Sequence, residues 1–263
     1  MFIDTHCHLT YASDDLYDGN VDTIITCAND SGVGAMICAT AKPNDFIPAL
    51  DIAKQHKNIF VTIGMHPECV ATNEIKDLPI EILDNPLVIG IGEIGLDYHS
   101  DMVNNRTNTD NHKQQIELFE KQLEIAYKHN LPVAIHTRDA ESDTANILTN
   151  KYHGVMHCFT SSWDLARIML DRGFYFSASG ILTFKNAESV RETFSKIPID
   201  RIVIETDAPY CAPVPYRGKT CESFMIIETA KVLAQIKNLQ IDDLETILYE
   251  NTKRLYPKCH VKL

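Results

Sequence analysis

The sequence predicts an α/β fold, a (β/α)8 TIM barrel, and three observations support it. Eight short apolar or β-branched segments alternate with helical patterns from end to end. The length, 263 residues, suits one such barrel. Chemistry-bearing side chains recur at the C-terminal ends of strands 1, 3, 4, 5, 6 and 8, and only a closed barrel brings all those ends around one pocket. A doubly wound open sheet is the main rival. The chain 1–263 reads as a single domain, without a low-complexity linker or a repeat in the known periods.

In order, the candidate strands are Phe2–Thr5, Ala35–Ala39, Ile59–Ile63, Leu87–Gly92, Val133–His136, Gly154–His157, Phe174–Ser177 and Arg201–Glu205. They are nearly continuous in apolar character, as strands buried on both faces should be. The best helical pattern is Asn111–Asn130, with Ile116, Phe119, Leu123 and Ala126 on one stripe. Asn130 stands where a helix C-cap belongs, and Pro132 stops any continuation. Ser162–Arg172 and Ser223–Lys237 also read as helices. The longest connection, Leu96 to about Asn111, is polar and reads as a loop over the barrel mouth.

Composition excludes several classes. Hydrophobic content of 44% and charged content of 23% are those of an ordinary globule. No apolar run is long enough to span a bilayer, and Met1-Phe2-Ile3 already looks like strand rather than signal peptide, so a cytoplasmic protein is expected. The eight cysteines are scattered, with no Cys-x-x-Cys pair, and read as free thiols in a reducing compartment. A net charge of −12 argues against a globally basic nucleic-acid clamp. It leaves room for a nucleic-acid substrate, because bound dications change the local field. With no amphipathic stretch left over, a monomer is expected.

Six residues are candidate metal ligands: His6, His8, Glu93, His136, His157 and Asp207. His6 and His8 are an i, i+2 pair, which on a strand points two imidazoles the same way. Asp4 reads as a support behind them or as a strand-end cap. Glu93 follows Val88-Ile89-Gly90-Ile91-Gly92, and a carboxylate there is costly to bury unless it is paired or bound to metal. Its two oxygens suit a bridge between two ions, and a buried pair with Arg138 is the structural alternative. His136 and His157 end successive apolar strands and complete a second ion's shell. Cys158 is expected to face away from His157 and to take no part. Asp207 suits a double role, as ligand and as proton acceptor for a water. Two dications against Glu93, Asp207 and four neutral histidines leave a positive centre that attracts a phosphodiester anion.

These segments resemble the TatD family of metal-dependent deoxyribonucleases. The motifs are Asp4-Thr5-His6-Cys7-His8-Leu9, Gly64-Met65-His66-Pro67, Gly92 through Tyr98, His136-Thr137-Arg138-Asp139, His157-Cys158-Phe159 and Thr206-Asp207-Ala208-Pro209-Tyr210. The resemblance spans essentially the whole chain. It implies a (β/α)8 TIM barrel of the metal-dependent hydrolase type, amidohydrolase-like, and a divalent-metal nuclease acting on DNA, exonuclease-like and linked to DNA repair or degradation. It assigns the six ligands above and places His66, Asp97, Tyr98 and Arg138 near the substrate. Three departures stand out. Ser161 follows Thr160 where the family often has Gly. Thr220-Cys221-Glu222-Ser223 follows Arg217-Gly218-Lys219 where an Asn-x-Pro is frequent. Cys211 follows Tyr210 where Leu is common.

The expected reaction is phosphodiester hydrolysis by a water activated between two ions, with Asp207 as general base and Glu93 bridging. Arg138 would hold a non-bridging phosphate oxygen with its planar fork. Lys185, Arg217 and Lys219 are candidates for flanking phosphates or equally for ordinary surface charges, and Phe159 and Tyr210 for stacking on a base, with core packing the preferred reading of Phe159. Imidazole-rich ligation favours zinc or manganese, whereas the family is usually described as magnesium-activated. An amide, ester or lactone hydrolase on the same two-metal barrel is the alternative. Many such barrels bridge their ions with a carboxylated lysine, and here Glu93 stands at the fourth strand's end instead.

Overall fold

The computed structural model describes residues 1–11, 19–99 and 109–260. Eight parallel strands follow one another in sequence order around a nearly closed barrel: β1 (Phe2–Cys7), β2 (Val33–Ala39), β3 (Ile59–Ile63), β4 (Val88–Asp97), β5 (Val133–Arg138), β6 (Gly154–Met156), β7 (Tyr175–Ala178) and β8 (Ile202–Ile204). Between and after them run α1 (Val21–Asp30), α2 (Phe46–Gln55), α3 (Glu68–Thr72), α4 (Thr109–His129), α5 (Glu141–Ile147), α6 (Trp163–Asp171), α7 (Glu188–Lys196), α8 (Ile226–Lys237) and α9 (Ile241–Leu255). Among the described residues no helix is long and apolar enough to cross a membrane. Most of the stretch expected to loop over the mouth falls on residues 100–108, outside the described residues.

The seam between β8 and β1 closes through side chains as much as through the ladder. Cys7 pairs with Ala208 in an isolated parallel bridge, and Asp207 N donates to His6 O at 2.9 Å. The buried Asp4 carboxylate accepts from Thr206 N at 2.9 Å and from the Thr206 hydroxyl at 2.6 Å. Burial pushes its pKa up to about 7 against those bonds. Asp4 therefore ties the first strand to the last and holds the turn that carries Asp207.

Apolar packing falls into two main layers. Ile3, Ala35, Ile37, Phe60, Ile89, Ala134, Val155 and Val203 form one cluster with Tyr249, Leu255, Tyr256 and Cys259 of α9 and the segment after it. Residues from seven strands meet in one cluster only inside the barrel, so the C-terminal helix plugs the end opposite the mouth. The larger cluster lies between the strands and the surrounding helices.

Two strands depart from regular pairing where ligand candidates stand. In β1, Asp4 faces Met36 and Cys7 faces Cys38, so three residues advance against two. In β4, Ile91 faces Val133 and Ile94 faces Ile135, again three against two. Such bulges re-aim side chains. Ile3 belongs to the inner cluster and Cys7 to the outer one, which strict alternation forbids. The bulge turns His6 and His8 inward. It also corrects the expectation for Glu93, which stands within a ten-residue strand rather than just past its end.

Helix α4 braces the mouth with two glutamines. Gln122 takes Met65 N at 2.8 Å and gives to Met65 O at 3.0 Å. Gln115 does the same for Asp97, at 2.9 and 3.0 Å. Asn130 ends the helix in the left-handed region, φ 50°, as its C-cap position predicts. Gly95 has φ 147°, and a Cβ there would collide with the His136 carbonyl oxygen. Gly95→Ala is expected to cost about 3 kcal/mol in strain and overpacking, read from urea or guanidinium unfolding midpoints. A loss below about 0.5 kcal/mol would show that the close approach of β4 and β5 there is dispensable.

Candidate metal centre

At the C-terminal end of the barrel a cavity of about 870 Å³ opens over the strand ends. Its floor is the Glu93 carboxylate, 4% exposed. The two oxygens of Glu93 face different histidines. Oε2 lies 3.6 Å from His6 Nε2 and 3.7 Å from His8 Nε2. Oε1 lies 2.9 Å from His136 Nδ1, 3.3 Å from His157 Nε2 and 3.8 Å from His66 Nε2. Asp207 Oδ1 lies 3.5 Å from His8 Nε2 and 3.9 Å from both His6 Nε2 and His157 Nε2. All six ligand candidates therefore converge, and Glu93 faces imidazoles rather than Arg138.

These spacings have a definite chemical meaning. A hydrogen bond brings nitrogen and oxygen to about 2.7–3.2 Å. Two ligands each about 2.1 Å from one tetrahedral ion stand about 3.4 Å apart. Around His6, His8 and Asp207 the separations are of the second kind. His6 Nε2 is buried and has no hydrogen-bond partner, a costly state unless an ion completes it. The donor set thus fits a divalent cation held by His6, His8, Asp207 and Glu93.

Supporting bonds fix the direction of the rings. His8 Nδ1 lies 3.1 Å from the Ala39 carbonyl, which makes it the protonated nitrogen and leaves Nε2 to face the centre. His157 Nδ1 lies 2.9 Å from Glu205 Oε1, an ion-pair contact that is not aligned as a hydrogen bond, and its Nε2 faces the centre. Glu205 is 1% exposed and also accepts from Cys158 N at 2.7 Å. Sequence reading missed Glu205. The signal was present, because a carboxylate directly after Ile202-Val203-Ile204 poses the same burial question as Glu93.

His136 departs from the simple grouping with His157. Its Nδ1 bonds Glu93 and its Nε2 lies 3.0 Å from Asp97 Oδ2, so both ring nitrogens are engaged. Its ligand-capable atoms cluster with those of His66 and Asp97. Burial pulls the His136 pKa down, but the bonds to Asp97 and Glu93 outweigh it, and the result is a rise to about 9. Burial likewise opposes the ionised form of Glu93, yet facing imidazoles, His157 and His66 foremost, hold its pKa well below the usual range. Burial, then His136, lowers His66 to about 4. To hold an ion, His136 would first have to give up the proton that its bonds to Asp97 and Glu93 favour.

The expected substrate residues divide. His66, Asp97 and Arg138 line the cavity, with Arg138 exposed at its rim. Tyr98 does not line it. The ring is buried, stacks on His112 at 3.6 Å and gives its hydroxyl to Asp143 at 2.9 Å. It continues past β4 toward α4 and α5, which is why a strand-end position did not bring it to the mouth. Tyr210 lines the cavity and is 54% exposed, whereas Phe159 packs on Phe176 in the core. Lys185, Arg217 and Lys219 do not line the cavity, and the Arg217 guanidinium covers the Phe184 ring at 3.8 Å. Cys158 reverses its expectation. β6 ends at Met156, Cys158 takes φ 41°, and it lines the mouth.

A family model for TatD related DNase matches residues 3–257. The chain belongs to this family. It is 36% identical over 242 residues to an uncharacterized metal-dependent hydrolase of Buchnera aphidicola subsp. Baizongia pistaciae, covering 90% of this chain and 89% of that one. It is 34% identical over 262 residues to the uncharacterized metal-dependent hydrolase YabD of Bacillus subtilis, covering 97% and 99%. Among solved structures, YJJV, a TatD homolog from Escherichia coli, superposes with a TM-score of 0.86 at 25% identity, covering 97% of this chain and 98% of that chain.

Glu205→Gln tests the support behind His157. It is expected to weaken divalent-ion binding by about 10- to 100-fold, the usual cost of losing such a partner, in a calorimetric or chelator-competition titration. Unchanged affinity would show that Glu205 does not orient His157 for an ion.

Proposed function

We propose that this TatD-family barrel, read as one catalytic unit over residues 1–263, is a divalent-metal-dependent phosphodiester hydrolase acting on DNA, with exonuclease-type cleavage. The observation that carries the reading is Glu93, a buried carboxylate that presents one oxygen to His6 and His8 and the other to His136 and His157. His6, His8 and Asp207 would hold one ion and His136 and His157 the other, with Glu93 between them. Magnesium, manganese and zinc are the candidates; bound there, they would supply positive charge and an acidified water.

The chain's own residues account for the remaining requirements. Asp207 is 13% exposed at its side chain and lines the cavity, so it can take a proton from an entering water. His8 and His157 stay fixed through their second nitrogens. Arg138 stands exposed at the rim, where its guanidinium can hold a phosphate oxygen. Asp97 bonds the far nitrogen of His136 and steadies it. Tyr210 offers an exposed ring at the rim for a terminal base. The chain's net charge of −12 means that attraction for a polyanion must come from this centre and not from the surface at large.

The test is hydrolysis of end-labelled single- and double-stranded DNA by metal-stripped protein, with magnesium, manganese or zinc restored. Metal-dependent cleavage is expected, reduced about 10³-fold or more in Asp207→Asn. No cleavage with any of the three ions, in protein that binds them, would sink the DNA assignment. An ester and lactone screen would then decide for the alternative hydrolase.

A further inference from the structure

The geometry points to a second kind of cation site at the mouth, formed by Cys158 Sγ, Cys211 Sγ and Asp207 Oδ2, which takes a thiophilic ion such as cadmium or excess zinc. The Cys211 thiol donates to Asp207 Oδ2 at 3.6 Å, and an ion would take the place of that proton between the two atoms. The two thiols and the carboxylate have ligand-capable atoms all within 4.8 Å of one another. All three residues are partly exposed and line the same cavity, so an ion can reach them from solvent. A tetrahedral ion with sulfur at about 2.3 Å and oxygen at about 2.1 Å puts those two atoms about 3.6 Å apart. Cys158 Sγ also lies 3.1 Å from Ser179 Oγ, which braces its direction.

Asp207 makes this site distinct from the nitrogen-rich one. Its Oδ1 faces His6 and His8, and its Oδ2 faces Cys211. One carboxylate therefore serves two donor sets of different softness. Magnesium prefers oxygen ligands and gains little from sulfur, whereas cadmium and zinc bind thiolates strongly. On binding, each thiol loses its proton to solvent and two metal–sulfur bonds form, with no change of oxidation state. Two thiolates and one carboxylate against a dication leave the site at −1, with one position open to water.

The other cysteines do not rival this pair. Cys7, Cys38, Cys69, Cys221 and Cys259 are buried, and Cys27 stands in α1, away from the mouth. An ion on Oδ2 would draw Asp207 away from the proton of an entering water and so inhibit. That consequence rests on the hydrolase reading above; the binding itself does not.

The test is a cadmium titration of the reduced, metal-free full chain, followed by the ultraviolet thiolate-to-cadmium band. A band that saturates at one two-thiolate site per chain is expected, lost in Cys211→Leu and in Cys158→Ser and kept in Cys27→Ser. Cadmium-edge X-ray absorption of the wild-type protein is the companion measurement, because it needs no variant to fold. It should show a cadmium population with two sulfur neighbours. No band at saturation, a band unchanged in both mouth variants, or absorption showing fewer than two sulfurs would overturn the proposal. None of these readouts depends on DNA cleavage, so failure of the nuclease reading leaves them interpretable.

Discussion

Glu93 is buried at the floor of the mouth with imidazoles on both of its oxygens, and the surrounding architecture serves that arrangement. An isolated carboxylate at that depth would cost several kcal/mol and would neutralise itself. Facing histidines keep it ionised, and cations between them would complete the balance. Every neighbouring device narrows the freedom of these groups. Thr40 O takes Glu93 N at 2.9 Å, and the Thr40 hydroxyl clamps Gly64 on the adjacent strand end. Asp4 holds the turn of Asp207. Gln115 and Gln122 pin the ends of β4 and β3. These bonds join segments far apart in the chain and none of them needs an ion, so the scaffold sets the centre before any ion arrives.

The barrel makes this possible by separating two tasks. One end is plugged by Tyr249, Leu255 and Tyr256, which close the inner apolar cluster and supply stability. At the other end the strands give way to turns in left-handed conformation at Cys158, Asp207 and Cys211, with φ of 41°, 60° and 56°. Such conformations cost about 1–3 kcal/mol each and persist only where the surroundings fix them. All three residues line the cavity. Stability resides at the bottom of the barrel, and the conformational cost falls at the mouth, where side-chain direction matters most.

Much of this was legible in the sequence because the fold is written in short-range patterns. Buried strands read as apolar runs, and α4 reads from its stripe and its Asn130 cap. Six ligand candidates stood out because a charged or polar residue closing an apolar strand needs a reason. What was hidden depends on partners far away in the chain. The bulges in β1 and β4 exist only in the register against β2 and β5, so no single segment reveals them. Cys158 turned the other way because β6 stops one residue before His157, and strand alternation no longer applies. Tyr98 was placed near the substrate by its motif, yet packing against His112 and Asp143 decided its direction. Gln115 and Gln122 share the buried face of α4, and their two-sided bonds to strand ends could not be inferred without the strands in place.

Glu93 and the five ligand candidates around it are proposed to form a binuclear metal centre. This is tested most directly by counting ions bound per chain, by elemental analysis after dialysis against manganese or zinc, in wild-type protein and in Glu93→Gln. Two ions per wild-type chain are expected, with loss of at least one of them in the variant, because the residue shared by both sites is gone. A wild-type chain that holds no ion, or two ions that survive in folded Glu93→Gln, would contradict it.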